Sequence, residues 1–157
     1  MSLIDPGQKA PAFTLNDQDG KTHKLSAYAG RSVVLYFYPK DDTPGCTIEA
    51  CEFRDAERAL QEAGAIVWGV SPDDQESKAA FRDKFSLNFP ILADLGHSVA
   101  EAYGAWGERT VGERTFTGTH RVTFLINPNG QVVRVWGSVT PTGHAAEVLA
   151  EIEAQRG

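Results

Sequence analysis

Residues 33–38 (Val-Val-Leu-Tyr-Phe-Tyr) and 65–70 (Ala-Ile-Val-Trp-Gly-Val) are unbroken apolar runs without alternation. A strand with one wet face alternates polar and apolar residues; a strand covered on both faces does not. These two runs therefore belong at the centre of a mixed sheet with layers packed on either side. Between them Ala50, Phe53, Ala56 and Leu60 recur at spacings of three and four, which predicts a helix over residues 43–63.

The rest of the chain extends that frame. Residues 12–15 and 21–25 read as short strands around a turn cluster at 16–20. Ser71, Pro72, Asp73 and Asp74 predict a helix start, with Ser71 as cap and Pro72 at the first position; Phe81 and Phe85 form its apolar stripe. A short strand at 90–93 and a short helix at 96–103 follow. Residues 104–119 hold four glycines and little apolar periodicity, and read as a long loop with room for one short strand. Residues 121–126 and 131–136 flank Asn-Pro-Asn-Gly at 127–130, a hairpin signal. Ala145, Val148, Leu149 and Ile152 give a closing helix. The expectation is one α/β domain over residues 1–157, with helices on both faces of a mixed sheet and no internal repeat.

A formal charge of -6 argues against nucleic acid or an anionic membrane as partner. No apolar stretch approaches the roughly 20 residues that span a bilayer, and the N-terminus lacks the basic start and apolar run of a leader. A cytoplasmic protein is expected, where thiols are kept reduced and a disulfide is more often a catalytic state than a staple.

The chain has two cysteines, five residues apart: Cys46 follows Thr43, Pro44 and Gly45 at the predicted helix start, and Cys51 lies on the same helix. At 100° per residue Cys46 falls within the apolar arc and faces inward, whereas Cys51 is about 140° round and points away. Their Cα atoms would be about 8.6 Å apart on an intact helix, beyond the ~7 Å that a disulfide tolerates. Bridging them requires the first turns to unwind. An ordinary cysteine has a pKa of about 8.5, and lowering one to near 6 takes about 3.4 kcal/mol. A helix N-terminus supplies at best ~2 kcal/mol, and burial opposes ionisation. A cation from elsewhere in the fold is needed, and composition does not pick it out among fifteen Lys and Arg residues. Glu49, one turn on, would oppose ionisation unless it pairs with that cation.

Other readings of these residues exist. A cysteine in such a helix is most often a small core residue. A metal site is not expected: there is no Cys-x-x-Cys, and His23, His97, His120 and His144 are scattered without ligand spacing. Trp106 and Trp136 suit core or surface cover better than a substrate pocket. Asp41 and Asp42 read as solvated turn acids. Strand alternation would put His120 on the face opposite Arg121.

The segment Pro39-Lys-Asp-Asp-Thr43-Pro-Gly-Cys46 fits the Pro-x-x-x-Thr/Ser-x-x-Cys motif of the peroxiredoxins. Extended through Cys51 to Asp55, it resembles the bacterioferritin comigratory protein, or peroxiredoxin Q, branch. Residues 70–73, 89–94, 102–108, 121–126 and 143–145 resemble that branch as well. The resemblance implies a thioredoxin-like fold with an N-terminal extension, and a thiol peroxidase without metal or organic cofactor. It implies Cys46 as the thiolate that attacks a hydroperoxide, Arg121 as its cation, Thr43 as a hydrogen-bonding partner of the peroxide and Pro39 as a shield. It implies Cys51 as the resolving thiol, an intramolecular disulfide, reduction by thioredoxin or a similar donor, and a monomer. A thiol–disulfide oxidoreductase or a redox sensor on the same fold is the alternative.

Overall fold

Seven strands form the central sheet of the computed structural model, in the order β2-β1-β5-β4-β3-β8-β9. The structure describes residues 3–28 and 30–156. Residues 1 and 2, part of the stretch read above for a leader, lie outside that range. β3 (Ser32–Phe37) and β4 (Ala65–Ser71) are the parallel centre, and β5 (Ile91–Ala93) continues beside β4. β8 (Val122–Ile126) runs antiparallel to β3, and β9 (Val132–Trp136) antiparallel to β8. β1 (Thr14–Asn16) and β2 (Thr22–Lys24) are an N-terminal hairpin added at the β5 edge. This is the expected thioredoxin-like mixed sheet.

The absence of alternation in β3 has the predicted cause. Val34, Tyr36 and Tyr38 face one layer, in a cluster with Cys46, Ala50, Phe53 and Leu60 of α1 (Pro44–Glu62). Phe81 of α2 (Gln75–Phe85) and Val148 and Ile152 of α4 (His144–Arg156) join the same layer. Val33, Leu35 and Phe37 face the other layer, with Val99 and Ala100 of the short α3 (Ser98–Ala102) and with Tyr103. From Val33 to Phe37 each side chain is thus buried whichever way it points. The long helices gather on one face, and α1 lays its N-terminus at the C-terminal end of β3.

Two expectations need correction. The second helix is capped by Asp74, whose carboxylate accepts from the Ser77 N–H; Ser71 instead ends β4, and its hydroxyl serves a buried network described below. Asp74 outcompetes Ser71 because it sits immediately before the first helical residue, within reach of that orphan donor. Residues 104–119 are not a long loop. They form a separate two-stranded hairpin, β6 (Trp106–Val111) and β7 (Arg114–Thr119). Both of its faces are largely wet, so no apolar alternation marked it. The local signal was the turn at Gly112, which takes φ +64° between Val111 and its cross-strand partner Arg114.

Candidate active site

Proline at 44 and the extended backbone of Thr43 (φ -96°, ψ 156°) fix where α1 begins. The first bond into the helix is Thr47 N–H to the Thr43 carbonyl, 2.8 Å. The N–H groups of Gly45 and Cys46 precede that ladder, at the positive end of the helix dipole. Thr43 does not cap through its side chain; its Oγ1 donates to the Lys40 carbonyl at 2.9 Å. That leaves the hydroxyl lone pairs as acceptors.

Cys46 is 1% exposed, on the inner face as the helical wheel predicts. Arg121, immediately before β8, reaches it from the sheet: Nη2 donates to Sγ at 3.3 Å, and Nη1 donates to Glu49 Oε1 at 2.8 Å. One planar fork thus spans a thiol and a carboxylate on the same helix, a geometry lysine could not reproduce. A Cβ on Gly45 would stand 3.0 Å from Arg121 Nη2, so the absence of a side chain there lets the guanidinium approach the helix end. Glu49 meets its sequence condition by pairing with the cation. Its side chain is fully buried, and Oε2 has no hydrogen-bond partner among the described residues. Burial pushes the Glu49 carboxyl up to about 7 against the pull of Arg121. The pair holds the guanidinium charged but does not fully compensate the carboxylate's lost hydration.

Cys51 is half-buried, on the unbroken helix, and both thiols are free. Pro39 is half-buried at the start of the loop that leads from β3 to α1. Cys46, Glu49 and Arg121 are in direct contact; Pro39 and Thr43 occupy the loop leading to Cys46, and Cys51 lies one and a half turns beyond it.

The loop is held from below. Asp41, expected to be a solvated turn acid, is 6% exposed and forms a buried ion pair with Lys78 of α2, whose side chain is wholly buried. Lys78 Nζ donates to Asp41 Oδ1 (3.2 Å), Ser71 Oγ (2.6 Å) and Tyr38 OH (3.1 Å). Asp41 also accepts from Tyr38 OH (2.6 Å) and Ser77 Oγ (2.8 Å), and its N–H donates to Asp73. Asp42 is exposed and pairs with Lys84 at 2.9 Å. Sequence reasoning missed Lys78 because its partner lies 37 residues away; a lone lysine among the helix's inward positions, next to Phe81, was the available signal.

On the other flank, the Gly143 N–H donates to Glu52 Oε1 at 2.8 Å. His144, beside it, bridges Thr123 Oγ1 (2.7 Å) and Glu147 Oε1 (2.6 Å). His120 turns to the hairpin, with Nε2 3.0 Å from the Glu108 carbonyl, while Arg121 turns to Cys46. Trp106 stacks on His97 at 3.6 Å, and Trp136 packs edge-on against His144, so both are cover rather than pocket walls.

Comparison with known proteins gives this arrangement a setting. Residues 6–135 match the AhpC/TSA family. The chain is 44% identical over 150 residues to peroxiredoxin Bcp of Bacillus subtilis, covering 96% of each chain. It is 41% identical over 149 residues to peroxiredoxin Bcp of Escherichia coli, covering 95% of this chain and 96% of that one. Among solved structures, the bacterioferritin comigratory protein of Xanthomonas campestris, studied for alkyl peroxide reduction in trapped intermediate and ligand complexes, superposes with a TM-score of 0.90. It shares 36% identity and covers 98% of this chain and 100% of its own. A cysteine-to-serine variant of Xylella fastidiosa PrxQ superposes with a TM-score of 0.94 at 32% identity, covering 100% of both chains.

Proposed function

The chain belongs to the AhpC/TSA family, as a peroxiredoxin of the bacterioferritin comigratory protein branch, and on that premise we propose that its peroxide chemistry runs through Cys46 and is completed by Cys51. The observation that carries this reading is the Arg121 fork, with Nη2 3.3 Å from Cys46 Sγ.

The Cys46 thiolate attacks the terminal oxygen of a hydroperoxide. The O–O bond breaks, the leaving alkoxide takes a proton and departs as alcohol or water, and Cys46 becomes a sulfenic acid. Arg121 and the N–H groups at the α1 start stabilise negative charge on the sulfur and then on the departing oxygen. Thr43, whose hydroxyl hydrogen is given to Lys40, accepts the peroxide O–H. Pro39 shields the site from the loop side. The first turns of α1 then unwind. Cys51 attacks the Cys46 sulfur, water leaves, and an intramolecular disulfide forms. A dithiol donor of the thioredoxin type reduces it by exchange. A cytoplasmic monomer suits this cycle, because both thiols belong to one chain.

The test is NADPH consumption coupled through thioredoxin and its reductase, with hydrogen peroxide and several organic hydroperoxides. Cys46→Ser should abolish turnover. Cys51→Ser should allow one oxidation per chain and then stop. Sustained thioredoxin-driven cycling in Cys51→Ser would assign resolution to another thiol.

A further inference from the structure

Glu49 lies inside the stretch of α1 that separates the two thiols, three residues after Cys46 and two before Cys51. Unwinding that stretch does more than bring two sulfurs together. It withdraws a fully buried carboxyl from the protein and returns it to water. In the packed state only Oε1 is bonded, and Oε2 has no partner among the described residues. A carboxylate offers about four acceptor sites, so the ionised group is poorly satisfied where it sits, while the neutral acid loses much less. In the unwound state water satisfies either form.

We propose that Glu49 is a positioning residue that couples proton release to the catalytic conformational step: its neutral carboxyl holds the first turns of α1 packed around Cys46, and its ionisation releases them for disulfide formation. This rests on the reading of Cys46 and Cys51 as one redox pair.

The surroundings support an assignment to Glu49 itself. From the residue before β8, Arg121 is the cation that favours the carboxylate. From α1, Glu52 disfavours it, and Cys46 shares Arg121. From β3, the buried Tyr36 phenol has no hydrogen-bond partner among the described residues and is held neutral by burial and by Glu49. From α4, His144 is held toward its neutral form by burial, with Arg121 acting in the same sense and Glu147 opposing. From the loop, Asp41 acts on Tyr36, and Lys78 of α2 is paired with Asp41 rather than with Glu49. Of the carboxyls among these, Glu49 sits on the moving segment with its side chain wholly buried.

The sign follows from linkage. Burial raises the Glu49 pKa to about 7 in the packed state, from 4.5 when exposed. The packed state therefore binds the proton more tightly. Its extra stability is fully present below pH 4.5 and is lost as pH rises through about 7. One linked proton changes the packed-to-unwound ratio by at most about tenfold per pH unit within that window. Acid thus favours the peroxide-reactive geometry, and neutral pH favours resolution.

The test removes both thiols, so that no sulfur ionises and no chemistry occurs. In the Cys46→Ser/Cys51→Ser protein, amide exchange protection at residues 47–52, corrected for intrinsic rates, should fall several-fold to tenfold per pH unit between pH 5.5 and 7 and then level off. Residues 54–60 should show no such slope. Adding Glu49→Gln should flatten the dependence at 47–52. An equal slope with Glu49→Gln, or none with Glu49 present, overturns the proposal. Should Glu49→Gln fail to fold, a carboxyl-carbon NMR titration of Glu49 in the double-serine protein decides. A midpoint near 7 supports the proposal, and one near 4.5 refutes it. Neither readout uses peroxide or a disulfide, so failure of the redox cycle shows in turnover and leaves these measurements intact.

Discussion

Two buried pairs of cation and carboxylate flank the Cys46 loop, and they are built differently. Lys78–Asp41 is saturated: a tyrosine and two serines satisfy what the ion pair leaves over. Its members lie on α2 and on the loop ahead of α1, outside the stretch between the two thiols. Arg121–Glu49 is unsaturated. One carboxylate oxygen has no partner among the described residues, the guanidinium is shared with a thiol, and the carboxylate rides on the stretch of α1 between the two cysteines. The contrast separates anchoring from release. A fully satisfied buried network holds a loop in one place, whereas a half-satisfied one is cheap to leave.

The sharpest way to break this contrast is to remove one cation from each pair. Lys78→Met leaves Asp41 buried and unpaired, and should cost about 3–5 kcal/mol in urea unfolding. Adding Asp41→Asn should recover part of that loss. Arg121→Met should slow Cys46 oxidation by about 10²–10³-fold, the usual loss on deleting one electrostatic stabiliser. It should cost less stability than Lys78→Met, since Glu49 already sits near neutrality and can take a proton instead. Stopped-flow oxidation and urea melts on both variants test this; equal stability losses would erase the distinction. The smallest effect belongs to the outer flank. Glu52→Ala removes the acceptor of the Gly143 N–H, worth about 1 kcal/mol. It should speed disulfide formation about fivefold after one equivalent of peroxide and leave Cys46 oxidation unchanged.

The parts of this molecule legible in its sequence were those governed by local pattern. Unbroken apolar runs located β3 and β4, the Asn-Pro-Asn-Gly turn located β8 and β9, and Thr43-Pro44 located the start of α1. The wheel placed Cys46 inside. The energy needed to ionise a buried thiol showed that a cation had to reach Cys46, but only the family resemblance named Arg121, because 75 residues and a sheet register separate them. Asp41 was misread for the same reason: its burial depends on Lys78, which no local pattern ties to it. The β6–β7 hairpin failed differently. Its strands are exposed on both faces, so the burial signal that periodicity detects does not exist there.

Phe53 stacks on Tyr36 with ring centroids 4.7 Å apart and meets His144 edge-on, and the next residue, Arg54, donates to the Phe85 carbonyl. These contacts begin immediately after the segment that carries both thiols. They pin the stem of α1 that runs from Phe53 to its end at Glu62. Starting a helix from coil is improbable, with a nucleation factor of about 10⁻³, whereas extending an existing one takes about nanoseconds per residue. In the proposed cycle, turns opened for the disulfide would regrow from that stem by propagation alone. Refolding of the helix should therefore never set the turnover time, and the slow events of the cycle should be chemical ones.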